Sequence, residues 1–313
     1  MKKDARIFVA GHRGMVGSAL VRRLHAGGYS QILTRTHAEL DLLEQQAVRD
    51  FMQREKPDYV FIAAARVGGI HANNTLRADF LYENLVIETN LIRAAHDAGV
   101  ERLMFLGSSC IYPRDCPQPI KEEYLLTGPL EQTNEQYAIA KIAGLKLCEA
   151  FNAQYGRRYL SVMPTNLYGP GDKFSPAGSH VLPALIRRFV GAKEAGAASV
   201  TNWGTGSPLR EFLHVDDLAD AIVFLLENYD SPETINVGTG VDLSIRAISE
   251  LVASDVGFAG TVEWDSTKKD GTPRKLLDVS RLRSLGWAPR ISLEEGLRQT
   301  VDWYVAHRET VRQ

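Results

Sequence analysis

Tyr137 and Lys141 stand four residues apart, a spacing that sets a phenol and an ammonium on one face of a helix. Ser108 and Ser109 precede them, and the run Gly11-His12-Arg13-Gly14-Met15-Val16-Gly17 lies far upstream. A serine hydroxyl can donate to a carbonyl oxygen, and a tyrosine can protonate that oxygen as hydride reaches the carbon. A phenol with a pKa near ~10 is a poor acid–base group at neutral pH. An ammonium one turn away, helped by a cationic nicotinamide ring, would favour the phenolate and lower that pKa. Taken alone, the pair is equally an ordinary tyrosine on a surface helix. Its weight comes from standing in one chain with Ser108 and the glycine run.

That run follows the apolar stretch Arg6 to Ala10 and opens an amphipathic one from Gly14 to Ala26. Glycines in a strand-to-helix turn let the backbone approach a pyrophosphate, and the helix N-terminus offers free N–H groups. At the end of the second strand, NAD-binding chains usually carry a carboxylate, and an arginine accommodates the extra phosphate of NADP. Here Arg35 occupies that place, with no acid before Glu39, and Arg13 adds a charge inside the turn. The charges favour NADP(H), although both arginines could also be solvated surface groups. Asp41 and Leu42 fit an adenine contact, and Asp41 equally fits a helix N-terminal acid.

The elements that must position these groups are legible as alternating short apolar runs and amphipathic stretches. Strands are predicted at Arg6 to Ala10, Gln31 to Thr34, Tyr59 to Ala63, Leu103 to Gly107 and Leu160 to Pro164. Helices are predicted at Gly14 to Ala26, Gln45 to Glu55, Ala78 to Ala98 and Glu135 to Tyr155. This alternation implies an α/β fold, a Rossmann-type doubly wound parallel sheet buried on both faces. After the turn Gly169-Pro170-Gly171-Asp172, helices are expected at Val181 to Ala195, Asp216 to Glu227, Ser244 to Val256 and Leu293 to Ala306, with one strand at Ile235 to Val237. Ser292 and Glu295 form a capping box for the last helix. Residues 1–170 and about 212–240 are expected to form the cofactor domain. Residues about 171–211 and 241–313 are expected to form a smaller, interleaved C-terminal domain for the substrate.

The length of 313 residues supports a substantial core, and 44% hydrophobic with 24% charged residues is ordinary for a globular chain. A formal charge of −2 leaves no surplus for nucleic acid. The N-terminal apolar stretch is too short for a membrane span or a signal peptide core. Cys110, Cys116 and Cys148 are odd in number and show no metal-type pairing, which points to a reduced cytoplasmic setting and no metal.

Seven segments in order make the chain resemble the extended short-chain dehydrogenase/reductases, over almost its full length. They are Gly11 to Ala19, Ala63 to Ile70, Gly107 to Pro113, Tyr137 to Lys141, Met163 to Pro170, Arg210 to Asp217 and Asp270 to Asp278. Within that superfamily they are most similar to epimerase/reductases acting on GDP-4-keto-6-deoxy-D-mannose. The resemblance implies NADPH-dependent epimerisation at C3 and C5, then reduction at C4, giving GDP-L-fucose. It implies Ser108, Tyr137, Lys141, Cys110 and His180 as catalytic residues. It implies cofactor contacts from Gly11, His12, Arg13, Gly14, Met15, Val16 and Gly17, from Arg35, Asp41, Leu42 and Ala64, and from Leu106, Gly107, Ser108 and Ser109. Tyr137, Lys141, Pro164, Thr165, Asn166, Leu167 and His180 complete that set. Arg188, Trp203, Arg210, Asp270 and Lys275 are implied for the GDP-sugar, and a homodimer for the assembly.

The chemistry is coherent. A C4 ketone acidifies the neighbouring C–H bonds, and a thiolate can take such a proton. Free cysteine, with a pKa near ~8.5, needs help to ionise. Lys141, His180 and a cationic ring could supply it, but the reduced cofactor present during epimerisation lacks that ring charge. Read alone, Cys110 is equally a small buried apolar residue, and His180 a helix-capping or surface histidine. Other readings of the same residues are a related GDP-keto-heptose epimerase/reductase, a noncatalytic NADP-binding sensor, and a 4-epimerase or dehydratase. A dehydratase would need an acid pair where Ser109 and Cys110 stand.

Overall fold

The computed structural model describes residues 1–176, 178–268 and 270–311. In chain order it begins with β1 (Arg6–Ala10), α1 (Met15–Ala26), β2 (Gln31–Leu33), α2 (Gln45–Glu55), β3 (Tyr59–Ile62), α3 (Ile70–Thr75), α4 (Arg77–Asp97) and β4 (Arg102–Leu106). There follow α5 (Glu135–Tyr155), β5 (Arg158–Pro164), β6 (Asn166–Tyr168), α6 (Val181–Glu194), β7 (Ser199–Trp203), β8 (Leu209–His214) and α7 (Val215–Asn228). The chain ends with β9 (Ile235–Val237), β10 (Asp242–Ser244), α8 (Ile245–Val256), β11 (Thr261–Asp265), β12 (Arg274–Lys275), α9 (Ser280–Ser284) and α10 (Leu293–His307).

The main sheet has six strands in the order β2-β1-β3-β4-β5-β9, all parallel. Its strands are short apolar runs because both faces are covered, so neither face needs polar residues. One core packs α1 and α7 on Leu20, Phe61, Met104, Val162 and Ile222. The opposite core places α2, α4 and α5 over Phe8, Val60, Phe105 and Met163. Phe8, Phe61 and Phe105 are wholly buried, each contributing roughly 1.5–3 kcal/mol. The winding reverses between β1 and β3, so ligands are expected at the carboxyl ends of those strands.

A third core joins α6, α8 and α10, with Phe174 stacked on Tyr304 at 4.5 Å. Beside it, β8 pairs antiparallel with β10 and parallel with β6 and β12, and β7 pairs with β11. These short strands go beyond the sequence expectation. β12 holds only two residues, and β7 exposes alternate ones, so neither makes an apolar run. The expected cap of α10 is present, with Ser292 Oγ accepting from Glu295 N at 3.2 Å. Among the described residues, no helix is long and apolar enough to cross a membrane.

Candidate active site

The glycine turn leaves β1 at Gly11, whose φ of +86° suits glycine, and a Cβ there would lie 2.7 Å from Ala64 N. The turn therefore packs directly on the end of β3. Gly14 N donates to Gly11 O at 2.9 Å, and Gly14 takes the N-cap of α1 with no side-chain cap hydrogen bond. The first N–H groups of α1 are left for an anion, and Met15 and Val16 begin the helix there. The cradle fits a dinucleotide pyrophosphate. His12 has its pKa lowered, first by burial and then by Arg13.

Arg35 is held half-buried at the end of β2. It donates to Thr34 O at 2.7 Å and to Glu55 Oε1 at 3.1 Å, and stacks over Phe51 at 5.1 Å. Glu39 accepts from the N–H and hydroxyl of Thr36, and Arg35 and Arg13 add to the lowering of its carboxyl. Asp41 accepts from Leu43 N at 3.0 Å, with His37 3.6 Å away, and Asn90 donates to the Leu42 carbonyl. At the end of β5, the Thr165 hydroxyl and Asn166 amide both bond Glu211 O, and Leu167 packs against the first core.

Ser108 follows β4 and Gly107, and caps a short 3-10 turn over Ser109–Ile111 by accepting from Cys110 N at 3.2 Å. α5 supplies Tyr137 and Lys141 from one face. The phenol is driven above its ordinary range, first by burial, then by Cys110 and Glu88, against a hydrogen bond with Ser108. Lys141, expected to lower it together with a cationic nicotinamide ring, is not among the groups that act on it here. Lys141 instead makes a buried ion pair with Glu88 of α4, Nζ to Oε1 at 2.8 Å, with both side chains no more than 2% exposed. The ammonium also lies 4.8 Å from the Phe105 ring and 5.9 Å from the Tyr137 ring. Its charge is spent on Glu88, whose own carboxyl is raised by burial against the pull of Lys141.

Cys110 has a second partner that sequence reasoning placed elsewhere. Lys275 Nζ donates to its Sγ at 3.4 Å. Burial alone would raise the thiol, but Lys275, Ser108 and Asn134 together bring it below its usual value. Lys275 is thus the cation on the sulfur, where Lys141 and His180 had been expected. His180 sits at the N-cap of α6, yet its side chain does not cap the helix. The residue is solvent-exposed, yet enough protein crowds the ring that burial, and then Lys275, lower its pKa. By contrast, Cys148 is fully buried in the second core with its thiol raised.

The remaining groups line the smaller lobe. In β12, Lys275 is paired in register with Arg210 of β8. Arg210 is lowered by burial, with Asp270 opposing. Asp270 accepts from Thr205 N and Oγ1 at 3.0 and 2.6 Å. Arg188 donates to Asn202 Oδ1 at 2.6 Å, and Trp203 is 71% exposed with Lys268 over its ring. Sequence reasoning missed Glu88, Asn134 and Glu211. Glu211 is wholly buried and accepts from Thr239 N, Gly240 N and Leu277 N, tying the strand of Lys275 to β8.

A parallel sheet with a glycine turn after its first strand, and Ser108, Tyr137 and Lys141 together at its carboxyl edge, defines an extended short-chain dehydrogenase/reductase. The chain belongs to the NAD dependent epimerase/dehydratase family, whose model matches residues 7–238. It is 61% identical to GDP-L-fucose synthase 1 of Arabidopsis thaliana over 97% of this chain and 94% of that one. It is 54% identical to GDP-L-fucose synthase of Escherichia coli K12 over 98% of each chain. The solved structure of a GDP-L-fucose synthetase from Naegleria fowleri bound to NADP is similar, with a TM-score of 0.92 and 28% identity, over 100% of this chain and 98% of that one.

Proposed function

We propose that this chain converts GDP-4-keto-6-deoxy-D-mannose to GDP-L-fucose with NADPH, by epimerisation at C3 and C5 followed by reduction at C4. The observation that carries this reading is that Cys110 stands between Ser108 and Lys275, close enough to act on Tyr137, with His180 in the field of the same lysine. Simple reduction needs a hydroxyl and a phenol, whereas an ionised thiol beside them adds a carbon acid–base step. The full-length relatives that make GDP-L-fucose support the substrate.

The C4 ketone first acidifies H3 and H5. Cys110 takes a proton, and the electron pair moves into the carbonyl as an enolate held by Ser108 and Tyr137. His180, open to solvent, gives a proton from the opposite face and takes a new one from water, and Cys110 releases its proton to solvent before the second epimerisation. The enolate collapses to the epimerised ketone with no change of oxidation state. Bound NADPH would supply the hydride to C4. Tyr137 delivers its proton to the resulting oxyanion, and Ser108 holds that oxygen in place. Lys141, anchored by Glu88, orients the nicotinamide ribose.

The glycine turn, Arg13 and Arg35 bind the dinucleotide, with Asp41 and Leu42 at the adenine and Ala64, Leu106, Gly107 and Pro164 to Leu167 along the strand ends. Arg188, Arg210, Trp203 and Asp270 hold the GDP moiety. Residues 1–170 and about 212–240 serve the cofactor, and the rest serves the sugar nucleotide. Two copies pair through α4 and α5, whose outer faces expose Tyr82 and Ile139. The free cysteines suit a cytoplasmic setting. Product analysis by NMR in deuterated water tests the reaction. Deuterium at C3 and C5 with one hydride transferred to C4 is expected, and GDP-6-deoxy-D-talose or rhamnose isomers without deuterium would refute it. Light scattering at the monomer mass would refute the pairing.

A further inference from the structure

Lys275 projects from the two-residue strand β12, next to Arg210, where a sugar diphosphate ligand is expected. Its ammonium is instead in contact with the sulfur of Cys110, 165 residues away in the chain. The groups around that sulfur come from four elements. Ser108 and Asn134 give it hydrogen bonds, Tyr137 of α5 is a neutral phenol beside it, and His180 at the head of α6 shares the field of Lys275. Cys116, half-buried in the following loop, also feels Lys275 but is raised overall by burial. Behind Tyr137, Lys141 is neutralised by Glu88. Lys275 is therefore the cation that acts directly on the thiol.

We infer that Lys275 is the residue that ionises Cys110, so that the sulfur is a thiolate while the nicotinamide is still reduced and uncharged. It is an electrostatic positioning residue for the base before it is a diphosphate ligand. This removes the need for an oxidised cofactor ring during epimerisation, a step that must come before the hydride leaves. The inference rests on the reading of Cys110 as the base, but ionisation and base chemistry can be measured apart.

The test uses the full-length, NADPH-bound enzyme. Iodoacetamide alkylation is followed across pH by peptide mass spectrometry at Cys110, with Cys116 and Cys148 as internal references. Cys110 should react first. Lys275→Met should slow its alkylation near neutral pH at least about tenfold and move the midpoint upward, and Lys275→Arg should retain most of the reactivity. An unchanged alkylation profile in Lys275→Met, with KM for the GDP-sugar raised and kcat kept, would overturn the inference and place Lys275 on the diphosphate. A readout on the wild type guards against misfolding of the variant: ultraviolet thiolate absorbance, as the difference between wild type and Cys110→Ser. A midpoint at or above that of an ordinary thiol overturns the inference. Slowed alkylation in Lys275→Met with undiminished deuterium entry at C3 and C5 upholds the ionisation and removes Cys110 as the base.

Discussion

Lys141 and Glu88 form an ion pair sealed between α5 and α4, with Nζ 2.8 Å from Oε1. Among the described residues, neither carboxylate oxygen has another hydrogen-bond partner, so the ammonium is the compensation for a charge inside the fold. Removing one member of such a pair costs about 3–5 kcal/mol, because the other is left buried and alone. Glu88→Gln keeps the shape and removes the charge. It is expected to lose stability of that order in denaturant titration. It also lifts one of the influences that hold Tyr137 protonated, so the alkaline limb of C4 reduction should move to lower pH. A variant as stable as the wild type, with the same pH profile, would show that the pair is inert.

Tyr137 itself predicts a pH dependence. Its pKa is raised, so the neutral phenol persists to higher pH than in water. The reductive step uses that neutral form as proton donor, and a raised pKa therefore keeps the donor present as pH rises. Reduction of a pre-epimerised 4-keto sugar should show no loss attributable to the phenol between about pH 6 and 9. Tyr137→Phe should lower the same rate by about 10²–10⁴-fold with little change in NADPH binding. A wild-type alkaline limb well below pH ~9 that vanishes in Tyr137→Phe would contradict the protonated phenol.

For the epimerisation, Cys110→Ser should abolish deuterium exchange at C3 and C5 while C4 reduction stays measurable. A serine hydroxyl in place of the thiol cannot be ionised by one ammonium at neutral pH. The thiol of the wild type is lowered overall, so its base form persists to lower pH than that of a free cysteine. Exchange should accordingly continue down into mildly acidic solution before it falls. Deuterium entering at either carbon in the serine variant would move the base elsewhere.

Much of this was legible in the sequence, for reasons that can be named. The central strands of the main sheet are largely apolar runs because helices cover both faces, so Tyr59–Ile62 and Arg102–Leu106 announce themselves. The smaller lobe hides its strands, since Arg274–Lys275 acquires strand geometry only by pairing with β8. That pairing carries Lys275 to Cys110, a contact that no local pattern encodes. Glu88 was readable in principle. On α4 the buried positions Phe80, Asn84, Glu88, Leu91 and Ala95 repeat at helical spacing, and two polar residues in an otherwise apolar stripe signal a partner. The Tyr137–Lys141 spacing was visible, but the pairing of the lysine with Glu88 was not, because it depends on an acid from another helix.

Arg35 gives the cofactor preference a test. Glu55 and Phe51 fix its guanidinium at the end of β2, and His37 is largely solvent-exposed beside it. Arg35→Ala removes a charge-assisted contact of roughly 1.5–3 kcal/mol to a ribose phosphate. Steady-state assays should show kcat/KM for NADPH falling by about tenfold or more, with that for NADH nearly unchanged. Equal losses with both cofactors would mean that Arg35 supports the fold of this edge and does not read the phosphate.

Gly144 links the catalytic helix to its support. It lies on α5 one turn beyond Lys141, where a Cβ would come 2.5 Å from Phe105 Cζ and 2.6 Å from Glu88 Oε2. No rotamer change relieves this readily, because Phe105 is wholly buried in the sheet and Glu88 is held by Lys141. Gly144→Ala must push α5 away from β4 and α4, or break the ion pair. Overpacking of this kind costs about 1–3 kcal/mol, set against up to ~1 kcal/mol gained in helix propensity. The net expectation is a lowered melting temperature. Because Tyr137 and Lys141 ride on the same helix, kcat for reduction should fall more than KM for the GDP-sugar rises. A variant with higher stability and unchanged kcat would show that α5 has room here.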